Sequence, residues 1–248
     1  MTSLTAKRWA ALVCCNALGA AMFLSWLCLP AHGFWQPLDD GVFFTFQDMI
    51  ASSEAFCYFV AFTNLRPFDA VAFLCMLAIF LYHFRKADAR GRRWMFAMGL
   101  CMMVAVVLAK QCDMLMHFER PSPTKWFIEQ GVPALKVSAL TGWPSKDFSG
   151  MSFPGDHGMM LIIFAMFMLR YFGKKTATAA IAVAIVFSLP RMMSGAHWMT
   201  DIVVGAGSIA CVVLSWMLLT PASDRIIAWF ERKIPWKKFG RIFADGNP

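Results

Sequence analysis

The chain has 248 residues, of which 59% are hydrophobic and 15% are charged, and its mean hydropathy is +0.56. A soluble globule of this composition would have too little polar surface to cover it, so the composition excludes that class and predicts an integral membrane protein. The formal net charge of +8 could indicate nucleic-acid binding, but the positions of the basic residues along the chain indicate membrane topology instead.

Six apolar stretches are candidate membrane helices, because a helix needs about 20 mostly apolar residues to cross a bilayer. The first could instead be a signal peptide, but its apolar run of about 20 residues exceeds a signal core, and no small-residue cleavage site follows it. We therefore expect one membrane-embedded domain over residues 1–248, all-α, with six transmembrane helices. The stretches lie near residues 9–30, 67–84, 94–112, 156–172, 176–190 and 201–219.

The basic residues also predict how the helices are oriented. Sixteen of the 23 Lys and Arg lie before the first stretch, after the second, at the end of the fourth or just after it, or in the C-terminal tail. By the positive-inside rule, these segments and both termini are cytoplasmic. The loop after the first stretch has four acidic residues and only Arg66 as a basic one, so we expect it on the opposite side.

This first outward loop, residues 31–66, is too short and too polar to span a membrane. Asp39 and Asp40 can begin a helix, and apolar residues follow them at helical spacing. Ser53 and Glu54 indicate a second helix start. We expect short helices that lie in the membrane interface.

The second outward loop, residues 113–153, is long enough to suggest a functional segment. It contains Lys125, Lys136 and Lys146 on the side where basic residues are disfavoured. The sequence leaves two interpretations open: the lysines bind a local anionic partner, or they are scattered over a solvated surface.

Arg191, His197 and Asp201 form an Arg-x5-His-x3-Asp array at the start of the last apolar stretch. Residues four apart share one face of a helix, so Asp201 can accept the proton of one His197 nitrogen and fix the tautomer. The other ring nitrogen keeps a free lone pair, which makes His197 a candidate nucleophile. Arg191 offers a planar fork for two phosphate oxygens. The alternative is an interfacial ion pair without a chemical role.

A second histidine motif, Pro154-Gly155-Asp156-His157, opens the fourth apolar stretch. Gly155 permits close approach of the backbone, and the amides at a helix start attract anions. With the first array, this motif indicates chemistry on a phosphate at a membrane surface.

The order and spacing of these motifs resemble the type 2 phosphatidic acid phosphatase superfamily. Its pattern is Lys-x6-Arg-Pro, then Pro-Ser-Gly-His, then Ser-Arg-x5-His-x3-Asp, on a six-helix membrane core. The matching residues here are Arg120 with Pro121, Pro154 with His157, and Arg191 with His197 and Asp201.

The chain also departs from that pattern. Asp113 stands where the first motif has Lys, Pro190 stands where the third has Ser, and Gly155 and Asp156 replace Ser and Gly in the second. Lys110 lies on the same predicted helical face as Asp113 and could restore the missing positive charge.

The altered second motif, within residues 152–160, resembles the lipid A 1-diphosphate synthase branch of the superfamily, and the likeness extends over almost the whole chain. It implies a phosphotransferase of the Gram-negative inner membrane, acting at the periplasmic face. Its implied lipid substrates are undecaprenyl pyrophosphate as the phosphate donor and the 1-phosphate of lipid A as the acceptor, with no cofactor and no nucleic-acid partner.

The resemblance also implies residue roles. His197, oriented by Asp201, would attack the donor and form a phosphohistidine, while His157 would protonate the departing lipid phosphate. The implied phosphate-binding residues are Arg120, Arg191 and Gly155, and the candidate auxiliary residues are Asp156, Lys110, Asp113 and Lys125. For Asp156 the sequence leaves open either a role beside His157 or a helix-start carboxylate favoured by the macrodipole.

Three other functions remain to be weighed. A phosphatase that hydrolyses undecaprenyl pyrophosphate would use the same catalytic residues. A transporter or lipid-binding protein would place charges near the middle of several spans, whereas here they gather at one end. A kinase is disfavoured, because Gly173-Lys174-Lys175-Thr176 matches only half of a P-loop. We predict no metal site, although Asp113 and Asp156 leave one conceivable.

Overall fold

The computed structural model describes residues 5–116, 118–236 and 242–243, and within these ranges it contains helices and no strand. Short 3-10 and π-helical turns occupy Pro30–His32 and Asp201–Ala206. The α-helices are α1 (Ala6–Cys28), α2 (Trp35–Ser52), α3 (Glu54–Thr63), α4 (Arg66–Lys86), α5 (Ala89–Met116), α6 (Pro123–Glu129), α7 (Val137–Thr141), α8 (Asp156–Met193), α9 (Gly207–Leu219) and α10 (Ala222–Lys233).

Five helical segments of the described chain are long and apolar enough to cross a membrane, which confirms the all-α membrane class. They are α1, α4, α5, α8, and the π-helical turn together with α9. The predicted fourth and fifth stretches lie on the two sides of Gly173 within α8, where two helical segments meet at this non-helical residue.

Helix α8 is a hairpin rather than one straight rod. A straight helix of this length would extend about 57 Å, yet His157 near its start and Arg191 near its end both contact Asp69. The reversal occurs at Gly173, whose φ of 82° and ψ of −178° are non-helical. Only glycine adopts this backbone conformation readily, because a Cβ would be strained against the residue's own backbone.

The core is centred on α9, whose membrane segment is the most buried of the five, at 61%. Its apolar residues pack with those of α5 and α8 in one continuous cluster. Helix α1 approaches α9 closely at Gly19, where an added Cβ would lie 3.0 Å from the Ser208 carbonyl oxygen. Large apolar side chains such as Phe73 and Met103 are exposed on the outer faces, as on a surface that contacts lipid.

The helices of the first outward loop partly match their predicted starts. Ser53 caps α3 as expected, because its hydroxyl accepts a hydrogen bond from the Phe56 amide at 3.2 Å. The expected start of α2 at Asp39 is wrong, since the helix begins at Trp35. Asp39 instead lies inside α2 and is buried against residues distant in sequence.

Candidate active site

His197 and Asp201 form the predicted pair, but they do not share a helical face. His197 lies in the turn after α8, where its amide donates to the Arg191 carbonyl at 3.1 Å. Asp201 begins the π-helical turn. The turn brings His197 Nδ1 to 3.3 Å from Asp201 Oδ2. Asp201 can therefore accept a proton from Nδ1, which leaves Nε2 as the nucleophilic nitrogen.

Asp201 is fully buried and held by two further donors. Its Oδ2 accepts the Trp198 amide at 2.9 Å, and its Oδ1 accepts Arg120 Nη1 at 2.8 Å. A buried carboxylate is costly unless it is paired and hydrogen-bonded, and this carboxylate is both. Its orientation toward His197 is consequently fixed.

Arg120 was expected to bind phosphate, but its terminal nitrogens are engaged with the protein. Nη1 donates to Asp201 and to Thr200 Oγ1, and Nη2 donates to Asp39 Oδ2 at 2.8 Å. The guanidinium carbon also lies 5.2 Å from the ring centroid of Trp26 and 4.7 Å from that of Trp198. In this structure Arg120 therefore supports Asp201 instead of presenting an open fork.

His157 and Arg191 meet at Asp69, a residue that the sequence analysis did not single out. His157 Nε2 is 3.1 Å from Asp69 Oδ1, and Arg191 Nη2 contacts both carboxylate oxygens at 2.5 and 2.7 Å. Arg191 Nη1 is buried without a hydrogen-bond partner in the described part of the chain. The sequence could have indicated Asp69, because an acidic residue at the start of an apolar membrane stretch is a candidate functional residue.

Lys146, from the second outward loop, also belongs to this region. Its amide donates to the Asn64 carbonyl at 3.0 Å, and its carbonyl accepts the Ser194 hydroxyl at 3.0 Å, so the loop is anchored beside the end of α8. Partial burial of the ammonium and the charge of Arg191 lower the pKa of Lys146, although its side chain as a whole is exposed. Its position beside Arg191 supports the interpretation of an anion-binding lysine.

Lys110, Asp113 and Asp156 form a separate ion cluster. Lys110 Nζ lies 3.0 Å from Asp113 Oδ2 and 2.6 Å from Asp156 Oδ1. Lys110 and Asp113 therefore share one helical face, as the spacing predicted, and Asp156 joins them from the first turn of α8. These side chains are partly exposed, and solvent weakens such pairs.

Gly155 and Lys125 do not occupy the positions expected of ligand-binding residues. The Gly155 amide donates to the Asp201 carbonyl at 2.9 Å, and a Cβ there would lie 3.1 Å from an Ile202 side-chain carbon. The close approach at Gly155 is therefore to the protein's own π-helical turn. Lys125 pairs with Glu129 at 3.6 Å and makes no ion pair with the residues around His197.

A cavity of about 350 Å³ opens beside His157 and Asp69, between α4, α5 and α8. Apart from these two residues its lining is apolar and includes Phe73, Met103 and Phe164. No group of three His, Cys, Asp or Glu with metal-binding geometry occurs among residues 5–116, 118–236 and 242–243. The region around His197 thus combines two histidines, cationic side chains and an adjoining apolar groove.

Known proteins share these features of the sequence. Residues 113–225 match the PAP2 superfamily. The chain is 44% identical over 232 residues to the lipid A 1-diphosphate synthase of Escherichia coli (strain K12). The aligned region covers 93% of this chain and 96% of that protein. No solved structure matches the chain significantly. Since the similarity extends over nearly the full length of both proteins, the chain belongs to the PAP2 superfamily.

Proposed function

We propose that the protein is an inner-membrane phosphotransferase that moves the terminal phosphate of undecaprenyl pyrophosphate to the 1-phosphate of lipid A. The products are lipid A 1-diphosphate and undecaprenyl phosphate. One observation carries the proposal: His197, paired with buried Asp201, lies in the turn that follows Arg191, whose buried Nη1 has no hydrogen-bond partner among the described residues. The similarity to a lipid A 1-diphosphate synthase supports this choice of substrates.

In the first half-reaction, His197 Nε2 attacks the terminal phosphorus of the donor. A nitrogen–phosphorus bond forms, and the bond from that phosphorus to the bridging oxygen breaks. The ring gains positive character, which the Asp201 carboxylate stabilises through Nδ1. His157 donates a proton to the oxygen of the departing lipid phosphate.

The phosphoryl group needs positive charge around its equatorial oxygens. Arg191 supplies it through Nη1, to which no described residue hydrogen-bonds, and Lys146 adds a second cation from the adjacent loop. Asp69 holds Arg191 and His157 before substrate binds, and the incoming phosphate exchanges for part of that contact. Arg120 acts indirectly by fixing Asp201.

In the second half-reaction, an oxygen of the lipid A 1-phosphate attacks the phosphohistidine. The nitrogen–phosphorus bond breaks, and His197 recovers its lone pair. His157 accepts the proton of the attacking phosphate when that oxygen is protonated. Water in place of the acceptor would give free phosphate, so exclusion of water separates a transferase from a phosphatase.

The proposed topology has six crossings and both termini in the cytoplasm. The two halves of α8 each cross the membrane, since the element reverses at Gly173. Helices α2 and α3 lie in the periplasmic interface, and the site faces the periplasm. This orientation keeps the basic loops in the cytoplasm, as the positive-inside rule requires. The apolar groove beside His157 then receives a hydrocarbon chain of a lipid substrate.

The test uses purified protein in vesicles that contain lipid A and undecaprenyl pyrophosphate labelled in its terminal phosphate. We expect label in lipid A and in a trapped phosphoenzyme, and we expect His197→Gln to abolish both. Asp48→Asn, an exposed carboxylate of α2, is the matched control and should retain activity. Free phosphate as the main product would identify a phosphatase, and absence of turnover would favour lipid binding or transport.

A further inference from the structure

Asp39 is a fully buried carboxylate that lies outside the three motifs of the superfamily. It comes from α2, the first helix of the outward loop, and its side chain has no exposed surface. Its partners, Arg120 and Thr200, are far from it in sequence. Burying a carboxylate costs free energy, so we expect a buried Asp39 to contribute either to stability or to the site.

Asp39 is bonded to both residues that flank the Asp201 carboxylate. Its Oδ1 accepts the Thr200 amide at 2.9 Å, and its Oδ2 accepts Thr200 Oγ1 at 2.5 Å and Arg120 Nη2 at 2.8 Å. Arg120 Nη1 bonds to Thr200 Oγ1 and to Asp201 Oδ1. A continuous set of hydrogen bonds therefore runs from α2 to the carboxylate beside His197.

The set contains one positive side chain and two carboxylates. One guanidinium, Arg120, is shared between two carboxylates, Asp39 and Asp201. Burial raises the pKa of Asp39, and the Arg120 charge and the Thr200 donors oppose that rise and favour the ionised form. Because Arg120 is paired with Asp39 as well, its charge does not fully neutralise Asp201. The Asp201 carboxylate can then stabilise a positive ring on His197.

We propose that Asp39 is a positioning residue for the phosphotransfer, which acts on His197 through Arg120, Thr200 and Asp201. The inference rests on the proposed function, since it concerns the nucleophile of that reaction. Asp39 does not touch the reacting atoms. Its role is to fix Thr200 at the start of the π-helical turn and to set how strongly Arg120 attracts the Asp201 carboxylate.

Asp39→Asn tests the proposal because it removes the charge and keeps the side-chain volume. We expect kcat to fall about tenfold or more, since the ring on His197 loses electrostatic support as the phosphohistidine forms. The KM for the donor should change little, since Asp39 does not contact substrate. A merely structural residue would not produce this separation of kcat from KM.

The pH profile supplies a second measurement. Loss of the Asp39 charge disfavours a positive ring on His197, so the acid limb of kcat/KM should move to lower pH. The other charged groups near His197 are Asp201, Arg120, Asp69, Arg191, Lys146 and His157. All of them remain unchanged in the variant.

Asp40→Asn is the matched control, because Asp40 is the next residue of α2 and its Oδ1 accepts the side-chain amide of Gln36, in the same helix, at 2.7 Å. It should leave kcat, KM and the acid limb as in the unmodified protein. Asp39→Asn with kcat within twofold and an unmoved acid limb would overturn the inference.

Thr200→Val keeps the inference testable if Asp39→Asn does not fold. It removes the hydroxyl between Asp39 and Arg120 and keeps the backbone bond to Asp39. We expect kcat to fall while KM is retained, and full turnover would contradict the role of this connection. If the unmodified protein makes no labelled lipid A, the proposed function itself fails, which is a distinct result.

Discussion

Three carboxylates, Asp39, Asp69 and Asp201, hold the basic side chains around the candidate nucleophile. Asp39 and Asp201 share Arg120, and Asp69 bridges Arg191 and His157. At the scale of single residues, the cations are thus oriented before any substrate arrives. An incoming phosphate therefore meets cations already in place and displaces only part of the Asp69 contact.

Lys146 is the residue through which we expect pH to act on substrate binding. Its pKa is lowered by burial of the ammonium and by Arg191, so its positive charge is lost at a lower pH than that of an ordinary lysine. Donor binding in the unmodified protein should therefore weaken on the alkaline side as pH rises through that lowered pKa. Lys146→Gln should reduce kcat/KM about tenfold near neutral pH and remove this alkaline decline.

The measurement is the pH dependence of kcat/KM for the labelled donor. Lys136→Gln is the control, because Lys136 lies in the same loop but stacks over the Phe148 ring at 4.1 Å. If the alkaline decline of kcat/KM persists unchanged in Lys146→Gln, another group causes it and the prediction is wrong.

At the scale of the element, α8 determines how the site is assembled. Its hairpin returns Arg191 to the level of His157, and the turn that follows positions His197. The sequence predicted two stretches separated between residues 172 and 176, and the reversal at Gly173 falls there. What the apolar pattern did not predict is that this reversal brings Arg191 and His157 to the same carboxylate, Asp69.

Gly173→Ala should destabilise the folded protein by about 1–3 kcal/mol. Apart from the adjoining backbone, no atom of the described residues lies within 4 Å of the added Cβ, so the cost is conformational strain and not a clash with a packed neighbour. Thermal unfolding in detergent gives the change in stability. Gly99→Ala in α5 is the matched control, because it also meets no atom within 4 Å but lies in regular helix, where alanine is favoured. Equal stability of the two variants would contradict the strained conformation.

At the scale of the whole molecule, the charged chemistry lies at one end of an apolar helical bundle. Asp69, His157, Arg191 and Asp201 meet there, while the core of α5, α8 and α9 is apolar. This arrangement fits an enzyme that works at a membrane surface better than a transporter, which needs polar groups along a path through the bilayer.

The proposed topology predicts which surface an impermeant thiol reagent can reach. In right-side-out inner-membrane vesicles, Gly150→Cys should be labelled, because residue 150 is exposed in the second outward loop. Thr5→Cys, at the exposed start of α1, should be labelled only after the vesicles are opened. The unmodified chain with its native cysteines gives the background signal. The reverse pattern would invert the orientation of the whole protein.

The sequence by itself determined the features that depend on local pattern. Apolar stretches of bilayer length predicted the bounds of α1, α4 and α5 to within a few residues. They do so because a helix in the membrane must satisfy its own backbone hydrogen bonds. Motif spacing identified His157, Arg191, His197 and Asp201, and it was sufficient to indicate the superfamily.

Only the tertiary structure decided which charged groups are partners. Asp39 and Asp69 lie in segments far from the motifs, Lys146 lies in the loop between the first two, and the pairing of Arg120 with Asp39 joins residues 81 positions apart. Spacing along the chain reports only neighbours on one helix, whereas a buried charge takes its partner from whichever segment packs against it. For the same physical reason, Arg120 and Gly155, expected to bind phosphate, are engaged instead by the protein around Asp201.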